Sequence, residues 1–86
     1  MEAIPCPRTR AEFVEKLTDF ESEYGRKPVV HASDELLLCM DDWSKARYYN
    51  LPAGTTLVAH RRLKYDKAIY LGCRIVAGGT DECCLE

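Results

Sequence analysis

Seven side chains in this sequence could serve as nucleophiles, soft metal ligands or proton carriers near neutral pH: Cys6, Cys39, Cys73, Cys83, Cys84, His31 and His60. Thiol and imidazole chemistry needs partners brought together by spacing. There is no C-x-x-C pair, and neither histidine stands at ligand spacing from a cysteine, so no zinc site is expected. Cys39 and Cys73 fall within apolar patterns and read as core thiols rather than nucleophiles. His31 precedes Ser33 by two residues, but that serine stands where a helix cap is needed. No glycine-rich phosphate loop, paired-carboxylate motif or H-E-x-x-H occurs. The chain is therefore expected to be no enzyme, with no catalytic residue, no metal, no cofactor and no evident small-molecule site.

The cysteines bear on compartment. Their number is odd and no leader pattern opens the chain, so reduced thiols and a cytoplasmic location are expected. Cys83-Cys84 follows Gly78-Gly79 and reads as part of a frayed tail open to oxidation. Leu85-Glu86 matches what a common cloning junction leaves ahead of a purification tag, which would confine the single natural domain to residues 1–84. Eighty-six residues leave room for one small core only. The longest apolar run, Leu36 to Met40, is too short to cross a bilayer, so no membrane partner is expected.

The net charge of −2 conceals two opposed halves. Residues 1–42 hold five cations, Arg8, Arg10, Lys16, Arg26 and Lys27, against ten carboxylates. Residues 43–74 hold seven, Lys45, Arg47, Arg61, Arg62, Lys64, Lys67 and Arg74, against Asp66 alone. Near-neutrality therefore does not exclude a charged partner.

The elements that must position these groups follow from periodicity and caps. Residues 1–8, with Pro5 and Pro7, read as an extended lead-in. Thr9-Arg10-Ala11-Glu12 is a capping box, and Phe13, Val14, Leu17, Phe20 and Tyr24 form one stripe of a helix over 10–24. Gly25 suits its left-handed end, and Pro28 forbids continuation. Residues 28–32 read as a short strand. Ser33 then caps a second helix, with Asp34 and Glu35 in its first turn, Lys45 and Arg47 in its last, and Leu36, Leu37, Met40 and Trp43 as its buried stripe. It should end near Arg47 or Tyr48. Leu51-Pro52-Ala53-Gly54 has the pattern of a type I turn. Two strands close the chain: about 55–64, and 69–77, where Ile69, Leu71, Cys73, Ile75 and Ala77 alternate with Ala68, Tyr70, Gly72, Arg74 and Val76.

The predicted fold is α+β in the order α-β-α-β-β: two helices on one face of a three-stranded sheet containing a C-terminal antiparallel hairpin. Matching Leu63 with Ile69, Ala59 with Cys73 and Leu57 with Ile75 predicts an odd-length hairpin loop, because an even one would turn cations toward the core. Which edge the first strand joins stays open. The same register places His60, Arg62 and Lys64 beside Tyr70 and Arg74 on the face away from the helices. Basic groups interleaved with an aromatic could hold a phosphate backbone or stack a base, although an antiparallel sheet often simply turns one polar face to water. Arg61, left on the inward face, calls for a carboxylate partner, with Asp41 or Asp42 nearest by charge, or else a bulge. The basic face could also meet the acidic helix surface of Glu12, Glu15, Asp19 and Glu23 on a second copy.

The run from Arg26 to Leu37, RKPVVHASDELL, together with Tyr70-Leu71-Gly72-Cys73-Arg74-Ile75-Val76, resembles small phage and prophage proteins in which a proline-led strand enters a serine-capped helix and an apolar-Gly-apolar strand follows. The resemblance implies an accessory or virion-assembly role, and virion association would then replace a cytoplasmic location. The leading expectation is a non-enzymatic interaction or assembly module acting by self-association or on a protein partner. The alternative is a nucleic-acid-binding accessory protein using the basic sheet face.

Overall fold

The computed structural model describes residues 1–86 and has the order β1 (Glu2–Ile4), α1 (Arg10–Tyr24), β2 (Val30–Ala32), α2 (Asp34–Ser44), α3 (Leu57–Tyr65), β3 (Ile69–Tyr70), β4 (Cys73–Ala77) and β5 (Cys83–Leu85). The class is α+β, but with three helices and a five-stranded mixed sheet of order β1-β5-β2-β4-β3. Only β2 and β4 run parallel, and every other adjacent pair is antiparallel.

α1 forms where its caps place it. Thr9 Oγ1 accepts from the Glu12 amide at 3.1 Å, and Gly25 turns left-handed at φ 71°. Glu12 reaches back one residue further than a capping box requires, to the amide of Arg8 at 3.0 Å. Phe13, Leu17 and Phe20 are buried, whereas Val14 and Tyr24 at the stripe's margins stay exposed. α2 starts at the Ser33 cap, whose Oγ accepts from Leu36 N. It stops at Ser44 rather than Arg47, because Lys45 turns left-handed and the amides of Lys45 and Ala46 close back on the carbonyls of Asp42 and Asp41. Lys45 and Arg47 thus lie beyond the helix. The 51–54 turn is displaced by one residue: Pro52 O accepts from Thr55 N, and Gly54 takes φ 81° at the third position, as a type II turn requires.

The largest correction falls on residues 55–64, which form α3 and not a strand. Thr56 Oγ1 accepts from Ala59 N at 3.1 Å, starting a helix that ends with Arg62 and Lys64 in its final turn. The predicted pairing of 57–63 with 69–75 is therefore absent. The hairpin that does form is β3–β4, with Tyr70 opposite Cys73 and Ile69 opposite Arg74 around Leu71-Gly72. Both turn residues have positive φ, as the tightest hairpin turns demand. That turn breaks the alternation: Tyr70 joins the face of Cys73, and Ile69 joins the face of Arg74.

β2 occupies the middle of the sheet, between β5 and β4. β5 is no frayed tail. Cys83 and Leu85 are buried, and Glu86 exchanges both backbone hydrogen bonds with Val29. Cys83 and Cys84 point to opposite faces, as adjacent strand residues must. Leu85-Glu86, whatever its origin, is built into the sheet.

Phe13, Leu17, Phe20, Leu36, Leu37, Met40 and Tyr65 from the helices share one core with Val30, Ala32, Cys73, Ile75, Cys83 and Leu85 from the strands. All three helices therefore cover the same face. The residues of opposite parity, Ala3, Cys84, His31, Val76, Arg74 and Ile69, lie on a face that no helix covers.

Candidate interaction surface

The helix at 57–65 redistributes the predicted basic patch. His60, Arg62 and Lys64 leave the sheet altogether. His60 meets the ring of Tyr48 edge-on, with centroids 5.5 Å apart. Arg62 turns to Asp34, holding it through Nε at 2.8 Å and a terminal nitrogen at 2.6 Å. Lys64 lies over the rings of Tyr48 and Tyr65 and reaches Asp41 at 3.4 Å. Tyr70 packs against Phe13 on the core side. Of the five residues, only Arg74 stays on the open sheet face, so the five form no single surface.

Most of the positive charge on α3 is absorbed by one buried carboxylate. Asp41, 4% exposed, accepts from Tyr65 Oη at 2.6 Å, Tyr48 Oη at 2.7 Å and Arg61 Nε at 2.8 Å. Burial alone would raise its pKa. Hydrogen bonds from Tyr65, Tyr48 and Arg61 and the charge of Lys64 outweigh that and hold it below the ordinary carboxylate value. In return, burial and the Asp41 charge push the Tyr48 hydroxyl up to about 12 and raise that of Tyr65. Asp41 is thus the partner Arg61 requires, reached from a helix rather than a strand. A tyrosine pair held in this way keeps both protons at neutrality, and the cluster serves to fasten α3 to α2.

The cations left without a carboxylate partner include Lys67 and Arg74, beside β3 and on β4. Lys67 donates its amide to Ile75 O, which fixes the chain entering β3 against β4. Ile69, 65% exposed, lies across from Arg74 on the open face. Val76 follows on the same face, with His31 beside it in the next strand. His31 is bonded to Glu86, which leaves Arg74 as the cation of this face without a carboxylate partner. An exposed aliphatic side chain across from an unpaired cation suits an apolar-acidic counterpart.

The same molecule presents such a counterpart on its other side. Glu12, Glu15, Asp19 and Glu23 recur every three or four residues along the exposed side of α1, and none forms an ion pair. Sequence reasoning found this acidic stripe and missed the Ile69–Arg74 pair. The pair depends on the Leu71-Gly72 turn, for which Gly72 was the available signal. No group of three or more histidine, cysteine or acidic side chains is arranged to hold a metal ion. No helix is long and apolar enough to cross a membrane.

No family model matches the chain, and no curated protein or solved structure matches it either.

Proposed function

We propose that this chain is a small non-enzymatic interaction and assembly module that docks an acidic helix face on the open β3–β4 end of its sheet, the first such partner being α1 of a second copy. The observation that supports this reading most is the pairing of exposed Ile69 with unpartnered Arg74 on a sheet face no helix covers. The unpaired stripe Glu12-Glu15-Asp19-Glu23 supplies matching charge on the same chain. Such a contact joins two different surfaces, so it repeats head to tail into a ring or an open chain. The resemblance to small phage and prophage proteins fits an accessory or assembly setting, which virion genes beside its coding sequence would support.

Light scattering coupled to gel filtration tests the reading. The expected result is a mass that grows with protein concentration and falls with added salt, because exposed charges are screened. A monomer at every concentration and at low ionic strength would overturn it. If that monomer also bound single-stranded RNA or DNA with salt-dependent affinity, the nucleic-acid alternative would take its place.

A further inference from the structure

A concave region lies where β1 runs toward α1 beside the first turn of α2. A cavity of about 370 Å³ opens there, with Cys6, Cys83, Ser33, Glu35, Asp81 and Glu82 in its walls. Ile4 pairs with Cys83 across β1 and β5, and Cys6 follows Ile4 by two residues, so both thiols stand in this one wall. Ser33 Oγ lies 3.2 Å from Cys83 Sγ. That oxygen already accepts from Leu36 N, so its own hydrogen is free to point at the sulfur. Cys6 is half-buried, whereas Cys83 is 1% exposed.

We propose that Cys6 and Cys83 form an oxidisable dithiol that reacts with small amine-bearing disulfides entering this cavity. Two thiols in one cavity wall, one reachable and one sheltered, suit sequential exchange. The Cys6 thiol loses its proton, and its thiolate attacks one sulfur of the incoming disulfide. The disulfide bond breaks, and the first small thiolate leaves and takes up a proton. Cys83, deprotonated in turn with the Ser33 hydroxyl beside its sulfur, attacks Cys6 Sγ in the mixed disulfide. The second small thiolate leaves and is protonated. The protein gives up two electrons and two protons, and one small disulfide becomes two thiols. The product ties the β1–α1 connection to β5.

The carboxylates in the cavity walls set the substrate class. Glu35, Asp81 and Glu82 attract a cationic amine and repel an anionic disulfide. The surroundings of Cys6, burial first, set the pace. Burial, then Cys83 of β5, with Glu35 and Cys39 of α2, push the Cys6 thiol up to about 12. Its thiolate fraction at neutrality is therefore small and rises about tenfold with each unit of pH.

The test uses the intact, reduced chain with cystamine and, separately, oxidised glutathione, read by intact mass and non-reducing peptide mapping. The expected product with cystamine has lost two hydrogens, links Cys6 to Cys83, and forms faster as pH rises. Oxidised glutathione should react at least about tenfold more slowly, as like-charge repulsion in the cavity requires. Cys83→Ser should stop at one cysteamine on Cys6, and Cys84→Ser should leave the reaction unchanged. The wild-type map decides even if Cys83→Ser fails to fold. A link from Cys6 to Cys39, a link through Cys84, equal rates with both disulfides, or no intramolecular link would each overturn the proposal.

Discussion

Arg61 of α3 and Asp41 of α2 are joined at 2.8 Å with only 14% and 5% of their side chains exposed, and this pair attaches the third helix to the body of the fold. α3 buries just one side chain, Tyr65, and that residue also bonds to Asp41. Polar contacts therefore do for this helix what an apolar stripe does for α1 and α2. Replacing Asp41 with asparagine leaves a sheltered guanidinium without its counter-charge. The expected loss is about 3 kcal/mol of unfolding free energy in urea titrations. A variant within error of the parent would show that the cluster fastens nothing.

The same carboxylate predicts an acid limit. Asp41 and Asp34 both titrate below their ordinary 3.8, Asp34 because Arg62 bonds to it directly. A group whose pKa is depressed on folding adds stability that is fully present above its unfolded value and is lost as pH falls through the folded one. Stability should therefore hold down to about pH 4 and drop below it. Asp41→Asn should flatten that drop. Acid titration followed by circular dichroism reads both slopes, and parallel curves for parent and variant would count against Asp41.

Thr56 offers a test specific to the helix at 57–65. Its hydroxyl satisfies the Ala59 amide, so Thr56→Ala should cost about 1 kcal/mol. Were this segment a strand, the substitution would remove no cap. A chemical-shift record of residues 57–65 in the parent protein settles the same point independently.

α1, β2 and the start of α2 were legible because their signals are local. Thr9, Ser33 and Gly25 each act within one turn, and Phe13, Leu17 and Phe20 mark a continuous stripe. α3 was not, because apolar periodicity sees only buried aliphatic and aromatic residues. Leu57 and Leu63 alternate with Ala59 as a strand would, yet Leu63 is 77% exposed. The signals pointing the other way were polar: Thr56 as a cap, Arg62 and Lys64 in a last turn, and Arg61 stranded on an inward strand face. β1 and β5 have three residues each, too few for a period to register, and β5 is held by pairing with segments about 50 and 80 residues earlier. Of the candidate surface, the acidic stripe on α1 was legible as a helical period. Its counterpart was not, because Ile69 and Arg74 share a face only through the turn between them.

Self-association through that counterpart is tested most directly by charge exchange in sedimentation velocity at low ionic strength. The parent chain should sediment as a concentration-dependent oligomer. Arg74→Glu should shift it to monomer, as should Glu15→Arg combined with Asp19→Arg, and the chain carrying all three changes should associate again. Unchanged sedimentation of Arg74→Glu, or a triple variant no more associated than its parts, would contradict docking of α1 on the β3–β4 end of the sheet.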